Sequence, residues 1–213
     1  MHKVIIVLVA VLAISEVSAE CKFDKMLRVV FRNVTPDVDR TSFAGQPETA
    51  YRLGTQYGRT EEAPDPEQGI HGLIIVSEPD SWMINLLTKK GQHLVDHGAP
   101  YHFHAPVFWS EGMPESLQGL EFGCEVAFMK ANASNPPEPT VVEGAKVLRY
   151  EMVAEEYRVA LFVGLKDKRP RAVVVTQGEK VVFGLRYDSW QDGLPPDLKL
   201  FQPPEGITLE EAK

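Results

Sequence analysis

The sequence predicts a single α+β domain in which a curved antiparallel sheet is accompanied by few helices. Residues 146–187 hold successive runs of alternating apolar and polar side chains with short turns between them, a pattern typical of an antiparallel meander. Residues 69–92 have the pattern of a hairpin, with two apolar runs flanking a turn. Residues 114–131 fit helical spacing. Together these stretches favour one sheet with little helical cover.

Residues 1–19 have the features of a secretory signal peptide. Lys3 supplies a positive charge, Val4–Ile14 is an unbroken apolar run, and Val17–Ala19 is a small-residue cleavage motif. The apolar run is short for a membrane span. We therefore expect residues 1–19 to be removed and residues 20–213 to form one exported domain large enough for its own core.

The chain has two cysteines, Cys21 and Cys124. Two thiols in an exported protein most often pair, so a Cys21–Cys124 disulfide is predicted. It would tie the mature N-terminus to the middle of the chain. The alternative is a free terminal thiol and one buried cysteine. Glu20 stands where a lipoprotein signal needs a small residue, so lipidation of Cys21 is not expected.

The formal net charge of −8, without a lysine or arginine cluster, argues against two classes of partner. Nucleic acids and anionic membrane surfaces are both bound through concentrated positive charge. The sequence therefore predicts no nucleic-acid partner, and the acidity is sufficiently explained by solubility.

The hairpin in residues 69–92 carries apolar side chains on both of its faces. Its first strand is predicted at Ile70–Val76, and Pro79 favours the tight turn that follows. On the second strand, apolar residues fall at both odd and even positions: Trp82, Met83, Ile84, Leu86 and Leu87. Such a hairpin is either central in its sheet or lines something besides the core.

The remaining elements are assigned from shorter patterns. Strands are predicted at residues 25–33, 49–62 and 92–96, with a loop at 35–48 and a linker at 132–139. Residues 114–131 fit a strand as well as a helix, but Pro114 beside Glu115 favours a helix start. The proline-rich tail, residues 187–207, is expected to dock its apolar side chains on the sheet.

Two motifs give the chain a resemblance to a known family. They are PDSWMIN at Pro79–Asn85 and LFQPPEGI at Leu200–Ile207. With the signal peptide and the meander, they resemble the LolA/LolB-like periplasmic lipoprotein carriers, including the outer-membrane lipoprotein-sorting proteins. The resemblance implies an unclosed antiparallel half-barrel with helices covering its concave face. It also implies a non-enzymatic periplasmic protein that holds lipid or lipoprotein acyl chains and meets a membrane-associated partner. The long amphipathic helix with which these carriers begin is not predicted at residues 20–39, and no arginine is assigned a lipid-handling role.

A hydrophobic concavity is the first candidate site, because an acyl chain in water must be hidden and each buried methylene contributes about 0.8 kcal/mol. Nine apolar residues on the predicted strands are expected to line it: Ile74, Val76, Trp82, Ile84, Leu86, Leu161, Val163, Phe183 and Leu185. A closed core uses the same residue types, so a filled core, with the domain serving as an interaction module, is the alternative.

The alternative to a lipid carrier, from a different functional class, is an exported metal-binding protein. His93, His97, His102 and His104 lie close in sequence, but they lack a known metal-ligand spacing, so no metal or other cofactor is expected. Carboxylates at Glu61, Glu62, Asp65 and Glu125 have no nucleophile motif beside them. We therefore expect no enzymatic activity.

Overall fold

The computed structural model describes residues 24–98, 101–104 and 114–211, and their main feature is one unclosed sheet of twelve strands. The strands are β1 Met26–Asn33, β2 Glu48–Leu53, β3 Tyr57–Glu61, β4 Gly72–Ser77, β5 Asp80–Asn85, β6 Lys90–Val95, β7 Glu138–Val142, β8 Ala145–Ala154, β9 Tyr157–Gly164, β10 Pro170–Gln177, β11 Lys180–Leu194 and β12 Thr208–Glu211. The single α-helix in this part of the chain is α1, Glu125–Asn132. Short 3₁₀ helices lie at Phe43–Gly45, Glu115–Leu117 and Leu198–Phe201.

The sheet joins two meanders through the first strand. Its spatial order is β12-β6-β5-β4-β3-β2-β1-β11-β10-β9-β8-β7. β1 pairs with β2 on one side and with the long strand β11 on the other, so the N-terminal and C-terminal halves form one continuous sheet. Neighbouring strands are antiparallel except for β12, which runs parallel to β6. The predicted unclosed antiparallel sheet is confirmed, with less helical cover than the resemblance implies.

The two faces of the sheet are covered by different segments. We call the face on which α1 packs the helix face, and the opposite face, on which the 3₁₀ helix Leu198–Phe201 packs, the tail face. Odd-numbered residues of β1 point to the helix face, and Met26 points to the tail face. Residues paired across neighbouring strands share a face, so the strand registers show to which face each of the remaining strand residues points.

The helix-face core lies mainly over the C-terminal half of the sheet. Met129 of α1 is fully buried with Val159 and Leu161 of β9. Residues 117–122 continue the cover toward the N-terminal half, where the Phe122 ring lies 5.0 Å from the ring of Phe31. This larger of the two apolar clusters holds most of the buried residues of the described chain.

The tail face has a smaller core under the C-terminal segment. Phe201 is fully buried against Leu73, Ile75 and Ile84 of the β4–β5 hairpin. Leu200 and Ile207 pack against the same cluster. The predicted docking of the tail on the sheet is therefore confirmed.

Several of the sequence-based assignments differ from the structure. The first residues of the predicted tail, 187–194, belong to β11. Residues 49–62 form the hairpin β2–β3 rather than one strand. The helix expected at 114–131 is limited to a 3₁₀ turn and α1, since Leu120 and Phe122 belong to an irregular segment that fills the core. The segment assigned as a linker ends in the edge strand β7. No described helix is long and apolar enough to cross a bilayer.

Candidate functional site: an open groove on the helix face

Two rows of paired residues cross the N-terminal half of the helix face. Each row takes one residue from each of β1 to β6. The first row is Leu27, Arg52, Gly58, Val76, Ser81 and Leu94. The second row is Val29, Ala50, Thr60, Ile74, Met83 and Gln92. Both rows begin on β1 in the buried core and run toward β6. The residues on β4–β6 therefore continue the same surface that is buried on β1 and β2.

Among the residues that the structure describes, the cover over these rows stops after β3. Leu27, Val29 and Ala50 are buried, whereas Ile74 is 46%, Met83 is 59% and Leu94 is 47% exposed. The three exposed side chains and Val76 form the floor of a groove of about 460 Å³ over β4–β6. Ligand pockets generally span about 300–1,000 Å³. The groove is therefore a ligand-sized extension of the core surface.

Residues 101–104 form the wall of the groove on the side of the core. The rings of Tyr101 and Phe103 pack over Gly58, whose missing side chain leaves room for them on β3. The Phe103 ring also lies 5.3 Å from that of Phe122, which joins the wall to the core. The backbone N–H of Tyr101 donates to a carboxylate oxygen of Glu78, which ties the wall to the β4–β5 turn. Burial raises the pKa of Tyr101.

A buried ion pair holds the wall from behind. Glu121 Oε2 lies 2.5 Å from Nη2 of Arg52, and its Oε1 lies 2.8 Å from Nδ1 of His102. Arg52 Nη1 also donates to the carbonyl of Phe122 at 2.7 Å, and Arg52 Nε donates to the carbonyl of Gly54 at 3.0 Å. Because the guanidinium spreads its N–H groups in a rigid fork, one side chain connects β2 to the segment that supports the wall.

The end of the groove beside the β4–β5 turn is acidic. Glu78 and Asp80 flank that turn, and Asp96 follows β6, where its backbone N–H donates to the carbonyl of Pro79 at 2.9 Å. The carboxylates of Glu78 and Asp96 line the groove, whereas that of Asp80 pairs with His93 on the tail face. His102 and His104 line its wall, and burial lowers the pKa of His104 and so favours its neutral form.

The nine residues expected to line one concavity do not share one. Ile74 and Val76 face the groove. The Trp82 side chain points to the tail face, where it packs against the cluster around Phe201. Ile84 is buried in the tail-face core, and Leu86 packs against it. The other four belong to the helix-face core, where three are fully buried and one is partly buried: Leu161, Val163, Leu185 and Phe183. Alternation placed each residue on a face but did not show which parts of the faces are covered.

The groove residues absent from the predicted lining include Met83, Leu94 and Tyr101. Met83 and Leu94 face away from Trp82 and Ile84, the side that the sequence pattern favours as the lining. Tyr101 lies in a loop-like segment, where the sequence has no strand or helix pattern. The apolar residues on both faces of the hairpin were the available signal, since one face packs under Phe201 and the other opens into the groove.

Three of the four histidines considered as metal ligands are engaged in other contacts. His93 stacks on Trp82 with ring centroids 5.3 Å apart, and its Nε2 lies 2.7 Å from Asp80 Oδ1. The rings of His102 and His104 stack 5.5 Å apart, and His97 is exposed. Within residues 24–98, 101–104 and 114–211, no three histidine, cysteine or acidic side chains are grouped as metal ligands would be.

The carboxylates considered for acid–base chemistry lie outside the groove. Glu125 is fully buried, where its Oε1 accepts from Tyr187 Oη at 2.6 Å and its Oε2 accepts from the Gly123 N–H at 2.8 Å. Burial raises the pKa of Glu125 to about 7. Glu61 pairs with Arg59 at 2.7 Å. The carboxyl groups of Glu125 and Glu61 are thus both engaged in contacts within the fold.

Two of the sequence predictions fall on residues outside the described part of the chain. The signal peptide, residues 1–19, is one of them. Cys21 is the other, so the Cys21–Cys124 bridge stays a prediction, while Cys124 itself is buried at the start of α1.

No family model matches the chain, and no curated protein matches it in sequence. Solved structures do match its fold. An uncharacterised conserved protein from Thermus thermophilus matches with a TM-score of 0.50 and 12% identity, over 89% of this chain and 91% of that one.

Two further matches come from bacterial proteins with descriptive names. An outer membrane lipoprotein-sorting protein domain from Vibrio parahaemolyticus has 11% identity and a TM-score of 0.40, over 86% of this chain and 92% of that one. A LolA superfamily protein from Nitrosomonas europaea has 12% identity and a TM-score of 0.33, over 86% and 93%. Structures of the family that the sequence resembles are thus among those to which this chain is similar, and at these identities the similarity is one of fold alone.

Proposed function

We propose that the protein is an exported, non-enzymatic carrier or binding protein that holds the alkyl chain of a lipid, lipoprotein or similar amphiphile in the groove over β4–β6. One observation carries the proposal. The helix-face rows pass from the buried core to three largely exposed apolar side chains on adjacent strands, Ile74, Met83 and Leu94. A contiguous apolar patch of this kind marks a place where something else packs.

The physical basis is the transfer of apolar surface out of water. Each methylene that leaves water contributes about 0.8 kcal/mol, so a chain of eight to twelve carbons gives a useful affinity after ordering costs are met. The floor also contains Met83, whose flexible side chain adapts to ligands of different shape. The floor residues Ile74, Met83 and Leu94 lie on three adjacent strands, so an alkyl chain lying across the strands would contact all three.

The alternative functions have weaker support. A metal site would need several ligands grouped in space, and the described histidines are paired or stacked instead. An interaction module with a filled concavity would leave no open apolar floor. An amphiphile carrier also agrees with export to the periplasm, which rests on the predicted signal peptide, and with delivery to or from a membrane-associated partner.

Binding of N-phenyl-1-naphthylamine, an uncharged fluorescent amphiphile, tests the proposal directly. We expect saturable binding by the wild-type protein and at least a tenfold weaker affinity for Met83→Glu, because a carboxylate in the floor is costly to desolvate. Val153→Glu is the matched control, since Val153 is 57% exposed on β8, away from the groove.

Wild-type affinity in the Val153→Glu variant would localise the site to the groove. Equal losses in both variants, or no saturable binding by the wild-type protein, would overturn the proposal. Circular dichroism of each variant shows that the comparison is made on folded protein.

A further inference from the structure

We infer that the amphiphile held in this groove carries a positive charge on its head group. The inference rests on the proposed function and concerns the acidic end of the groove, where the head of a chain lying on Ile74, Met83 and Leu94 would emerge. It names a class of ligand: a long-chain ammonium compound, or an acyl chain attached next to a basic group.

The first argument is the concentration of carboxylates at one end. Glu78 precedes Pro79, and the hydrogen bond from the Asp96 N–H to the Pro79 carbonyl brings the end of β6 to the same turn. The carboxylates of Glu78 and Asp96 therefore border the groove from two strand ends. A carboxylate or phosphate head group placed there would meet like charges, which costs binding free energy.

The second argument is the charge of the remaining lining. Of the described residues that border the groove, none is a lysine or arginine. The nearby guanidinium of Arg52 stands behind the wall, where it pairs with Glu121. Burial lowers the pKa of His104, so this histidine does not offset the carboxylates at neutral pH. His93 and Asp80 pair on the tail face, so neither contributes to the charge of the groove.

The third argument is the presence of an aromatic side chain beside the carboxylates. Tyr101 borders the groove, and its backbone N–H donates to Glu78. Aromatic faces attract ammonium groups, and the attraction adds to that of the carboxylates in a partly desolvated site. An apolar floor, an acidic end and a flanking aromatic ring are together suited to a cationic amphiphile.

The test compares three single-chain amphiphiles with the same twelve-carbon chain, each below its micellar concentration. They are dodecyltrimethylammonium, dodecyl maltoside and dodecanoate, with binding measured by isothermal titration calorimetry. We expect the cationic compound to bind about tenfold more tightly than the neutral one, and the anionic compound to bind more weakly still. The difference should shrink in 0.5 M salt, because partly exposed charges are screened.

Charge variants separate the groove from the general acidity of the protein. In the double variant Glu78→Gln with Asp96→Asn, both amides retain the oxygens that accept from Tyr101 and Gly98. We expect the cationic preference to fall to about twofold or less in this variant. Glu179→Gln with Glu205→Gln is the control, since it removes the same charge from two exposed positions outside the groove.

Each result decides between defined conclusions. Loss of the preference in the groove variant alone supports the inference. Equal affinities for the three compounds, an anionic preference, or equal losses in both double variants would overturn it while leaving an alkyl-binding groove. Failure of all three compounds to bind the wild-type protein would overturn the proposed function as well.

Discussion

Met83 and Ile84 are neighbours on β5, yet Met83 is 59% exposed and Ile84 is 4% exposed. Successive strand residues point to opposite faces, so Met83 opens into the groove and Ile84 packs beneath Phe201. One strand therefore supplies a binding surface on one side and a core surface on the other. The two neighbours provide a direct way to separate binding from stability.

A charge introduced at these two positions should have opposite consequences. Ile84→Asp buries an unpaired carboxylate in the tail-face core, and we expect it to lower the free energy of unfolding by about 3 kcal/mol or more. Met83→Asp should change it by only about 0.5 kcal/mol, because the side chain is largely in water. Urea unfolding followed by circular dichroism measures both. Similar losses in the two variants would contradict the assignment of faces.

Arg52 should be among the most sensitive charged residues, because its removal leaves Glu121 without its buried partner. We expect Arg52→Met to lower the free energy of unfolding by about 3–5 kcal/mol. Arg158→Met is the control, since Arg158 pairs with Glu151 on the exposed surface and its loss should cost less than about 1 kcal/mol. Chemical denaturation of the two variants makes the comparison, and equal effects would rule out a structural role for the buried pair.

Glu125 should make stability depend on pH between about 4.5 and 7. Its pKa is raised by burial from 4.5 to about 7, so in this interval the folded state binds the proton more strongly than the unfolded state. The favourable contribution is fully present below pH 4.5 and is lost as the pH rises to about 7, a change on the order of 3 kcal/mol.

Replacement by a neutral isostere should remove this dependence. Glu125→Gln keeps a side-chain oxygen that can accept a hydrogen bond in this pocket, and its amide group does not ionise. We expect the unfolding free energy of this variant to vary less between pH 4.5 and 7.5 than that of the wild-type protein. An unchanged slope in urea titrations would assign the pH dependence to other groups.

His93 should control how firmly β12 is held. Its Nε2 lies 2.7 Å from Asp80 Oδ1 on β5 and its Nδ1 lies 3.0 Å from Glu211 Oε1 on β12. Only the imidazolium form donates to both carboxylates. The hydrogen bond with Glu211, followed by that with Asp80, raises the pKa of His93. The stabilisation is therefore full below about pH 6.5 and is lost as the pH rises through the folded-state value.

Hydrogen exchange reports this effect locally. After correction for intrinsic rates, amides of Thr208–Glu211 should exchange faster at pH 8.5 than at pH 6, and Glu211→Gln should remove most of the difference. Amides of β9, in the helix-face core, are the internal reference. The same pH response in both strands would point to global unfolding instead.

The C-terminal meander was predictable because its signals are local. Val159, Leu161 and Val163 alternate with more polar residues, and short turns bound each run, so β8 to β11 follow from the sequence. β7 was missed because Pro139 and its neighbours have the composition of a linker. As an edge strand, β7 tolerates a proline, which lacks only a hydrogen bond that an edge need not make.

The site was only partly predictable because its cover comes from distant segments. Apolar residues on both faces of β5 indicated that the hairpin has two partners. Ile84 became core because Phe201 packs on it. Met83 is open because, within residues 24–98, 101–104 and 114–211, the cover on the helix face ends at Tyr101 and Phe103. Alternation within one strand contains no information about either contact. The groove therefore depends on where the covering segments end.

The cross-strand rows make the length of the β4–β5 turn as important as any side chain in it. Adding or removing one residue between Ser77 and Asp80 would shift β5 by one position against β4. Because side chains alternate, that shift would carry Ile84 to the groove and Met83 under Phe201. A single insertion in the β4–β5 turn would disrupt the core and the binding surface together. The exposed turn at Glu155 differs, because the strands it joins carry a major core surface on one face only. In natural variants of this chain, insertions and deletions should therefore be found at turns such as that at Glu155 and should be rare in the β4–β5 turn.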